Sequence, residues 1–546
     1  MPLKTVDVRV TDANGKPLGL VMVTLKSVEV PAPQGTDQFT ETVLPWKTAF
    51  TGQNGTAKLL LPAIEDAHSK YLIRLRKNDY SDTNIGLVEN KYSYSSVLPI
   101  EPNRNLAIEN RPANAWQSAI DLGDEELKNH FKLQCAFCHQ QGSLFTRAER
   151  SPEEWSDVIT RMVQLGSRLH NDAQANLPEL LQKEHARLRN DPSLIPDVNP
   201  WEPHLPATSI TEWPIGTRAS QLHDMLWADG KLWVGDNLQD NLIELDPATN
   251  QSTIHKIPHK EGDTFGGNIG GRLSRFPGAQ VYVGLHSLED SKKDGHIFMT
   301  GSDSTRLVEF APETGEFTLY DIPEGYYPHT IRIDSLDRVW FTMAVSNQIA
   351  MFNRETQEFK FWDLPSRTFM ESVTIFLMPV ILKLSEWGVP FYLIPINPQS
   401  QGLPMPYGIE ITPDDQVWFT RILSDEIGHI DPESEELTMI KTPFTGPRRL
   451  RADKRGDLWI TSFPEAKIAR YTPADQQFKI YELPIIPKGS ETPYSINVDR
   501  KRDIVWITGT ASDTMISLDI QTEKWKIYPM PSRHTFTRDV VIAEDG

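Results

Sequence analysis

The chain has 546 residues, which exceeds the usual size of one domain and indicates two to four domains. Its 74 acidic side chains outnumber the 55 basic ones and give a formal net charge of −19, a field that repels nucleic acid and excludes it as a partner. Hydrophobic residues make up 39% of the chain and charged residues 24%, as in globular proteins, and the 41 prolines and 32 glycines favour turn-rich β architecture.

Residues 1 to about 105 alternate apolar and polar side chains with the period of a β-strand. The alternation at Val6–Val10 leads into a turn signal at Asp12–Pro17, and a second turn at Thr51–Gly55 precedes renewed alternation from Ala57 to Leu61. The D-x-x-G-x-P and T-x-x-x-G patterns of these turns resemble those of the carboxypeptidase-regulatory-like β-sandwich. This resemblance implies a β-sandwich over residues 1–105 that serves docking or spacing rather than chemistry.

Helical patterning replaces strand alternation from about residue 112 to 200. The acidic run Asp124-Glu125-Glu126 predicts a helix start, because negative side chains are favourable at the positive end of the helix dipole. A second helix is predicted at Ser151–Glu154, which combines an N-cap serine, a first-turn proline and a capping-box glutamate. A third helix spans roughly Ala173 to Arg189. These helices predict a small all-α unit.

The only two cysteines of the chain lie within this helical segment. Cys135 and Cys138, followed directly by His139, form the C-x-x-C-H pattern of covalent haem attachment. Two thiols at this spacing add to two vinyl groups of one porphyrin, and the adjacent histidine becomes the proximal iron ligand. A structural zinc site needs two more ligands, and a thioredoxin-like pair lies in a βαβ pattern that the flanks lack. The motif therefore predicts one covalent haem c in a class I-like cytochrome c domain over residues 112–200.

The sixth iron ligand is predicted from a second pattern. The segment Arg150–Met162 reads R-x-P-E-x-W followed by R-M, and it resembles the haem domain of quinohemoprotein amine dehydrogenases. That resemblance implies Met162 as the axial ligand, and a thioether ligand raises the reduction potential. A methionine at this helical spacing also fits an apolar core position, and His130 and His170 are alternative ligands. An open sixth position would instead allow peroxide or small-ligand chemistry.

Residues 205–546 contain an internal repeat. Each copy has a strand centred on Trp, an apolar residue and Thr, followed by strands that end near Asp or Asn and in Leu/Ile-Pro. The spacings of 41 and 47 residues between the last copies are typical of four-stranded propeller blades, so six blades are predicted. An outer strand at Ile210–Pro214 and an inner strand at Thr537–Ala543 suggest a seventh blade that closes the ring. The six copies are centred on Trp233, Phe298, Trp340, Trp418, Trp459 and Trp506.

The W-F-T, I/L-x-x-F/I-D and Y-x-L-P elements of this repeat resemble the virginiamycin B lyase (streptogramin lyase) propeller family over residues 205–546. The resemblance implies a six- to seven-bladed propeller, a fold that serves many functions. In the lyase, histidine and glutamate residues at one mouth of the central channel hold a magnesium ion and abstract a proton. The full His/Glu set of the lyase is not matched in this sequence.

The innermost strand of each blade is expected to begin ten or eleven residues before its tryptophan. His223, His329 and Tyr407 occupy this position, and together with Arg449 they are the candidate catalytic residues. Three histidines that converge on one channel suit a second metal ion, and separate hydrogen-bonded histidines are the alternative. Arginines on the same rim favour a small anionic substrate or a haem propionate. The further candidates at this mouth are His286, Arg448, Arg451, Tyr494 and Arg538.

One insertion interrupts the repeat at residues 366–405. Trp340 and Trp418 lie 78 residues apart, and the extra segment is strongly apolar over residues 373–396. Lys383 and several prolines and glycines argue against a membrane-spanning helix. We expect a surface hairpin that packs on the haem domain or another subunit, or that contacts a membrane surface.

These features predict a multidomain, mainly β protein with a β-sandwich, a small all-α cytochrome c domain and a propeller. Met1–Thr5 shows no apolar signal segment, but haem attachment to C-x-x-C-H takes place outside the bacterial cytoplasm, so we expect a periplasmic or otherwise extracytoplasmic protein. The leading hypothesis is a haem-dependent oxidoreductase or electron-transfer component. In it, the propeller binds a substrate or partner and the haem relays electrons to a redox partner protein. The alternatives are a metal-dependent lyase of the virginiamycin B lyase type and a non-catalytic subunit of a larger redox complex.

Overall fold

The chain folds mainly into small, largely antiparallel sheets, with a group of helices between residues 113 and 190. This computed structural model describes residues 4–28, 39–62, 67–98, 108, 110–267, 278–386 and 403–544. The mainly β architecture that the sequence predicts is confirmed, and the sheets of the C-terminal part are consistent with a propeller-like fold.

Two sheets enclose the N-terminal core. One has the strand order β5-β1-β8 and the other has the order β7-β6-β2-β4-β9. The alternation predicted at Val6–Val10 is confirmed, because the valines of β1 are buried while the residues between them are exposed. The strands are β1 (Lys4–Thr11), β2 (Met22–Ser27), β3 (Phe39–Thr42), β4 (Trp46–Phe50), β5 (Thr56–Leu61), β6 (Tyr71–Arg76), β7 (Thr83–Gly86), β8 (Ser93–Val97) and β9 (Ser209–Glu212).

Strand β9 differs from its prediction. The segment Ile210–Pro214 was expected to form the outer strand of a seventh blade, but β9 instead pairs antiparallel with β4, with Ile210 opposite Thr48. Ile210 packs there against a small apolar cluster that contains Met22 and Phe50. Burial of this apolar side chain favours the N-terminal sheet, and no periodicity within β9 itself distinguishes the two partners.

The helices form a second core behind the C-x-x-C-H motif. The predicted helix starts are confirmed: the Asp124 side chain accepts a hydrogen bond from the Leu127 amide, and Ser151 and Glu154 form a capping box. Phe131 and Trp155 are buried in a cluster shared by several of these helices. The helices of the described residues are α1 (Ala67–Lys70), α2 (Ala113–Ala119), α3 (Glu125–Cys135), α4 (Pro152–Gln164), α5 (Asn171–Asn190) and α6 (Phe369–Glu386). Two short 3-10 turns lie at Pro192–Leu194 and Leu205–Ala207.

Six four-stranded antiparallel units follow one another along the C-terminal part, and we number them blades 1 to 6. Each predicted Trp-x-Thr segment lies on the second strand of its blade and is largely buried. Blade 1 comprises β10 (Leu222–Ala228), β11 (Lys231–Asp236), β12 (Asn241–Asp246) and β13 (Gln251–Lys256). Blade 2 comprises β14 (Leu285–Asp290), β15 (Ile297–Gly301), β16 (Arg306–Ala311) and β17 (Glu316–Asp321). Blade 3 comprises β18 (Pro328–Ile333), β19 (Arg338–Met343), β20 (Gln348–Asn353) and β21 (Glu358–Asp363). Blade 4 comprises β22 (Pro406–Ile411), β23 (Val417–Arg421), β24 (Glu426–Ile430) and β25 (Leu437–Lys441). Blade 5 comprises β26 (Pro447–Ala452), β27 (Leu458–Ser462), β28 (Lys467–Thr472) and β29 (Gln477–Glu482). Blade 6 comprises β30 (Ile496–Asp499), β31 (Ile504–Gly509), β32 (Thr514–Asp519) and β33 (Trp525–Pro529).

The C-terminal segment of the chain bridges the gap between blade 6 and blade 1. The predicted inner strand at Thr537–Ala543 is not formed as a strand, but its backbone and side chains still link the two blades. Asp539 accepts hydrogen bonds from the Met225 amide of blade 1 and from Ser495 beside blade 6, at 3.2 and 3.0 Å. At the outer edge, β3 pairs with β13 of blade 1.

The apolar insertion contains a helix rather than the expected hairpin. Helix α6 spans 18 residues and buries Met378, Ile381 and Leu382, while Phe369 and Phe376 are about four-fifths exposed at 80% and 82%. Within the described ranges, no helix is long and apolar enough to span a membrane. Residues 387–402, which complete the insertion, lie outside the described residues.

Candidate functional site

The candidate residues of the propeller are presented by β-bulges. In blades 1 to 5 the pairing of the inner strand with its neighbour shifts register just after the strand begins. A bulge leaves residues unpaired and changes the direction of their side chains, which is why bulges are common beside functional sites. The end of the channel where these bulges lie is called the propeller mouth below. The bulged residues are His223-Asp224, His286-Ser287, His329-Thr330, Tyr407-Gly408 and Arg448-Arg449.

The threonine of the Trp-x-Thr repeat stabilises the bulges of blades 2 to 5. The hydroxyl of Thr342 accepts a hydrogen bond from the Thr330 amide at 3.2 Å, and that of Thr420 accepts one from the Gly408 amide at 2.9 Å. Thr300, Thr461 and Thr508 serve the equivalent amides of their own blades. These hydroxyls satisfy N–H groups that the bulge removes from the ladder, and a buried N–H without a partner would cost free energy.

Several of these threonines also connect neighbouring blades. The Thr300 hydroxyl donates to the carbonyl of His329 at 2.7 Å, that of Thr342 to the carbonyl of Tyr407 at 3.1 Å, and that of Thr420 to the carbonyl of Arg448 at 2.7 Å. Each of the three acceptors is a residue at the mouth of the next blade. The repeat therefore positions the mouth residues relative to one another.

Three imidazoles form a row across blades 1 to 3. The ring centroids of His223 and His286 are 3.8 Å apart, and those of His286 and His329 are also 3.8 Å apart. All three side chains are buried, and burial lowers the pKa of each below its ordinary value, to about 4 for His223. The imidazoles are therefore neutral at physiological pH and keep a lone pair on one ring nitrogen.

Asp224 and Arg449 form a buried ion pair next to this row. The Arg449 guanidinium binds both oxygens of the Asp224 carboxylate, at 2.9 and 2.6 Å, and His223 Nδ1 lies 2.9 Å from the same carboxylate. Burial opposes ionisation of Asp224, but Arg449 and His223 outweigh it and hold the pKa of this carboxyl well below its ordinary value. Asp224 thus fixes the orientation of both neighbours. His223, Asp224 and His286 offer donor atoms within 4.8 Å of one another, a spacing that suits a metal ion.

A tyrosine pair faces the row of imidazoles. The hydroxyls of Tyr407 and Tyr494 are 2.9 Å apart, and the Tyr494 hydroxyl lies 3.3 Å from His223 Nε2. Burial raises the pKa of Tyr407. Burial acts in the same direction on Tyr494, but Arg448 and Arg538 outweigh it and lower the pKa of this phenol.

Arg448 joins the propeller mouth to the C-x-x-C-H segment. Its guanidinium lies 3.5 Å from the ring centroid of Tyr494, 4.2 Å from that of Phe137 and 4.3 Å from that of Phe463. It also donates to the Tyr407 hydroxyl at 2.9 Å. Phe137 is one of the two residues between the cysteines of the motif, so a fully buried cation and three aromatic rings hold the motif on the mouth.

Further hydrogen bonds attach the motif to blades 5 and 6. Arg538 donates to the Cys138 carbonyl at 3.1 Å, and the Gln140 amide donates to the Thr510 carbonyl at 2.6 Å. Lys132 reaches the carbonyl of Pro464 at 3.1 Å. The C-x-x-C-H segment is therefore held on the propeller mouth, next to Tyr407 and Tyr494.

The immediate surroundings of the motif fit a covalently attached haem. His139 Nδ1 lies 3.2 Å from the Gln140 carbonyl and 3.4 Å from Gln141 Nε2. A proximal histidine that donates from Nδ1 to a carbonyl keeps Nε2 available for iron. Burial lowers the pKa of His139 and raises that of Cys135 to about 12, with Cys138 as a second cause for the thiol. Cys135 packs against the helical core, whereas Cys138 is exposed at the surface.

The surface after the motif is unusually apolar. Leu144 is 57% exposed and Phe145 is 77% exposed, and both follow His139 within one short loop. Exposed aromatic and aliphatic side chains next to C-x-x-C-H are what a flat apolar macrocycle would cover.

The candidate axial ligands are less well defined by the geometry. Met162 is half-buried on α4, and the Arg168 amide that follows this helix donates to Gln134 Oε1 beside Cys135, at 2.8 Å. His130 and His170 pack on each other with centroids 4.1 Å apart, and burial together with His170 lowers the pKa of His130 to about 4. Met162 as the axial ligand stays a prediction.

The channel beneath the mouth is filled by ion pairs. Arg332 lies 3.1 Å from Glu289 and 3.4 Å from Glu410, and Arg500 contacts Glu410 at 3.0 Å. Arg451, predicted to lie with the other arginines of the rim, belongs to this deeper layer and lies 3.8 Å from Glu410. These ion pairs link the inner strands of blades 2 to 5.

Sequence reasoning brought together His223, His286, His329, Tyr407, Arg448, Arg449, Tyr494 and Arg538, and the fold places all of them at one mouth. It missed Asp224, Phe137 and Asp539. Asp224 directly follows the candidate His223, and a bulge places two successive residues at the mouth. The same spacing from the tryptophan that selected His223 could therefore have selected Asp224. Phe137 and Asp539 reach the mouth through tertiary packing that no local pattern encodes.

The fold and the site define a mainly β protein whose propeller-like sheets carry a polar, histidine-rich mouth. Residues 395–546 match the model of the virginiamycin B lyase family. No curated protein matches the chain.

Solved structures with similar folds include two lyases. Selenomethionine-substituted virginiamycin B lyase from Staphylococcus aureus is 16% identical, with 59% of this chain and 89% of that chain covered and a TM-score of 0.45. A streptogramin B lyase is 17% identical, with 60% and 88% covered and a TM-score of 0.45. Hydrazine synthase from Kuenenia stuttgartiensis is 11% identical, with 56% and 78% covered and a TM-score of 0.39.

Proposed function

We propose that the chain is an exported c-type haem protein that acts as an oxidoreductase or electron-transfer component. The observation that carries this proposal is the position of C-x-x-C-H on the propeller mouth, where Arg448 packs against Phe137 and Arg538 binds the Cys138 carbonyl. A substrate or partner bound at the mouth would lie within short range of the motif. Covalently bound haem would supply one-electron chemistry through its iron.

The roles of the residues follow from their contacts. Cys135 and Cys138 would form the thioethers, and His139 would bind iron through Nε2 because Nδ1 is engaged by the Gln140 carbonyl. Met162 would complete the axial pair. At the mouth, His223 is oriented by Asp224 and lies next to the Tyr494 hydroxyl, so this pair can hold or move a proton. Arg448 and Arg538 favour an anionic substrate.

The remaining parts of the proposal concern domains and partners. The two N-terminal sheets would form the carboxypeptidase-regulatory-like β-sandwich, and α2 to α5 the cytochrome c domain. The net charge of −19 favours a basic redox partner. Covalent haem attachment favours a periplasmic or otherwise extracytoplasmic location, which cell fractionation with an antibody to the chain would test.

The test of the haem proposal is spectroscopic. The full chain is expressed with haem-maturation machinery, and we expect a c-type band in the reduced-minus-oxidised spectrum and one haem mass added per chain after denaturation. C135A/C138A should lose the covalent mass. A wild-type chain without either signal under these conditions would refute the proposal.

The lyase alternative is favoured by the family match over residues 395–546 and by the His223–Asp224 pair, which could accept a proton. Magnesium, however, prefers oxygen ligands, and the mouth offers mainly imidazole nitrogens. Turnover that needs magnesium and no electron acceptor would favour this alternative over the haem proposal.

A further inference from the structure

Helix α6 is apolar on two faces, but the described part of the chain covers only one of them. The covered face buries Met378, Ile381 and Leu382 against the loops of blades 3 and 4. A helix that is apolar all round is normally covered on every side. The uncovered side, called the outer face below, spans an arc of about 120° at about 100° per residue. It consists of Phe369, Met370, Phe376, Leu377 and Val380, which are between 42% and 82% exposed.

The outer face carries no charge along its length. Among the described side chains of α6, the acidic Glu371 is buried, and Arg367 Nε donates to its carboxylate at 2.7 Å. Lys383 lies in the last turn, beyond Val380. From Phe369 to Val380 the face extends for about 16 Å along the helix axis. An uncharged apolar strip of this length on a chain with a net charge of −19 marks an interaction surface.

Helix α6 lies at the mouth end of the propeller. Arg367, in the segment that leads into α6, donates to the Leu423 carbonyl at 2.6 Å, and Arg421 donates to the Pro365 carbonyl at 2.9 Å. Leu423 lies just after β23, and Tyr326, which packs against α6, lies just before β18. Both positions are at the end of their blades where the bulges lie. The helix is therefore beside the mouth at blades 3 and 4, whereas the C-x-x-C-H segment is attached to blades 5 and 6.

A second copy of the chain does not match this surface. A stable protein interface uses about 20 to 30 residues on each side and about ten hydrogen bonds. The outer face offers five apolar side chains, and two copies that each carry a net charge of −19 repel each other. A lipid surface needs no paired polar groups, because apolar side chains enter the boundary between the headgroups and the acyl chains.

We propose that the outer face of α6 binds the surface of a zwitterionic lipid bilayer. Zwitterionic headgroups carry no net charge, so they do not repel the acidic chain as anionic lipids would. Phe369 and Phe376 are the largest side chains of the face and the most exposed, so they provide most of the apolar area that leaves water. The contact holds the mouth end of the propeller against the membrane. It goes beyond the haem proposal and does not depend on it.

The experiment measures binding of the full chain, expressed with haem-maturation machinery, to phosphatidylcholine vesicles by flotation in a density gradient. We expect the wild-type chain to float with the vesicles. F376S/V380S should bind at least about tenfold more weakly, because two apolar side chains no longer enter the bilayer. Both residues are exposed, so the melting midpoint of this variant should match that of the wild type.

L336S is the matched control for F376S/V380S. Leu336 is 69% exposed, but it lies in the turn between β18 and β19, at the opposite end of blade 3 from α6. L336S should therefore bind the vesicles as the wild type does. Weaker binding of L336S that equals the loss in F376S/V380S would show nonspecific adsorption and would overturn the proposal.

Lipid composition provides a test that needs no variant. Replacing part of the phosphatidylcholine with phosphatidylserine should weaken binding at low salt, because the anionic surface repels the acidic chain. A wild-type chain that stays in the soluble fraction, equal binding of F376S/V380S, or binding that requires phosphatidylserine would overturn the proposal. Dimers that form without vesicles and are lost in F376S/V380S would assign the outer face to a second copy and would also overturn it.

The haem proposal is tested separately on the same samples. C135A/C138A should bind the vesicles as the wild type does, because the motif and α6 are attached to different blades. The reduced-minus-oxidised spectrum reports on the haem, and the flotation reports on α6. Either proposal can therefore fail while the other stands.

Discussion

Replacing Arg449 with methionine tests whether the Asp224–Arg449 pair organises the mouth. Both side chains are buried, and two hydrogen bonds of 2.9 and 2.6 Å join them. Removing one partner of such a pair leaves an uncompensated buried charge and costs about 3–5 kcal/mol. With an unfolding entropy of about 2.1 cal/mol/K per residue over roughly 340 residues of propeller, R449M should lower the melting midpoint by about 4–7 °C.

The assay is thermal unfolding followed by circular dichroism, with two controls. D224N/R449M also removes the Asp224 carboxylate, which R449M leaves buried without a cation, so the double variant should be more stable than R449M alone. R455M changes an arginine whose side chain is half exposed beside Asp453, so it should change the free energy of unfolding by no more than about 1 kcal/mol. A double variant that is less stable than R449M would refute the reasoning.

The pH dependence of R449M has a defined sign. The pKa of Asp224 is depressed in the folded chain, so the pair contributes stability above the ordinary carboxyl pKa of about 4, and this contribution is lost as the pH falls through the folded value. In R449M the buried carboxyl lacks its guanidinium, so its pKa should rise above the ordinary value and Asp224 should take up a proton before pH 4. The difference between wild type and R449M should therefore be largest near neutral pH and smaller at pH 4. An equal difference at both pH values would contradict the assigned ionisation.

Other variants test separate contacts. T420V removes the hydroxyl that bridges the Gly408 amide and the Arg448 carbonyl and should cost about 1–3 kcal/mol in a denaturant titration, whereas T420S should stay near wild type. R448Q removes a buried cation beside the motif and should lower the reduction potential of the proposed haem in a spectroelectrochemical titration, because a nearby positive charge disfavours oxidised iron. An unchanged potential would contradict a haem at this position. F376S removes one of the most exposed apolar side chains of α6 and should reduce self-association in light scattering if this face contacts a second copy, and an unchanged mass would exclude that contact.

The parts of the fold that local patterns encode were predictable from the sequence. The capping box at Ser151 and the burial alternation at Val6–Val10 depend on neighbouring residues alone, and the structure has both. The Trp-x-Thr repeat predicted the blades because each threonine satisfies an amide of its own blade, so the same chemistry recurs in each copy.

Features that depend on distant partners were not predictable. The pattern of β9 fits either sheet, and only the apolar cluster with Met22 and Phe50 decides its partner. The insertion was expected to be a hairpin because Pro379 and the later prolines break its pattern, yet burial of Met378 and Leu382 stabilises a helix through Pro379. The seating of Phe137 against Arg448 joins residues more than three hundred positions apart.

Strand β9 has a consequence for how the helical segment is held. The last strand before the helices, β8, belongs to the three-stranded sheet. After α2 to α5 the chain pairs as β9 with the edge of the five-stranded sheet before it enters blade 1. The helical segment is thus connected to the N-terminal sheets at both of its ends, which restricts its movement. The C-x-x-C-H motif therefore belongs to a segment that is tied to the N-terminal sheets on both sides and to the propeller mouth through Arg448 and Arg538.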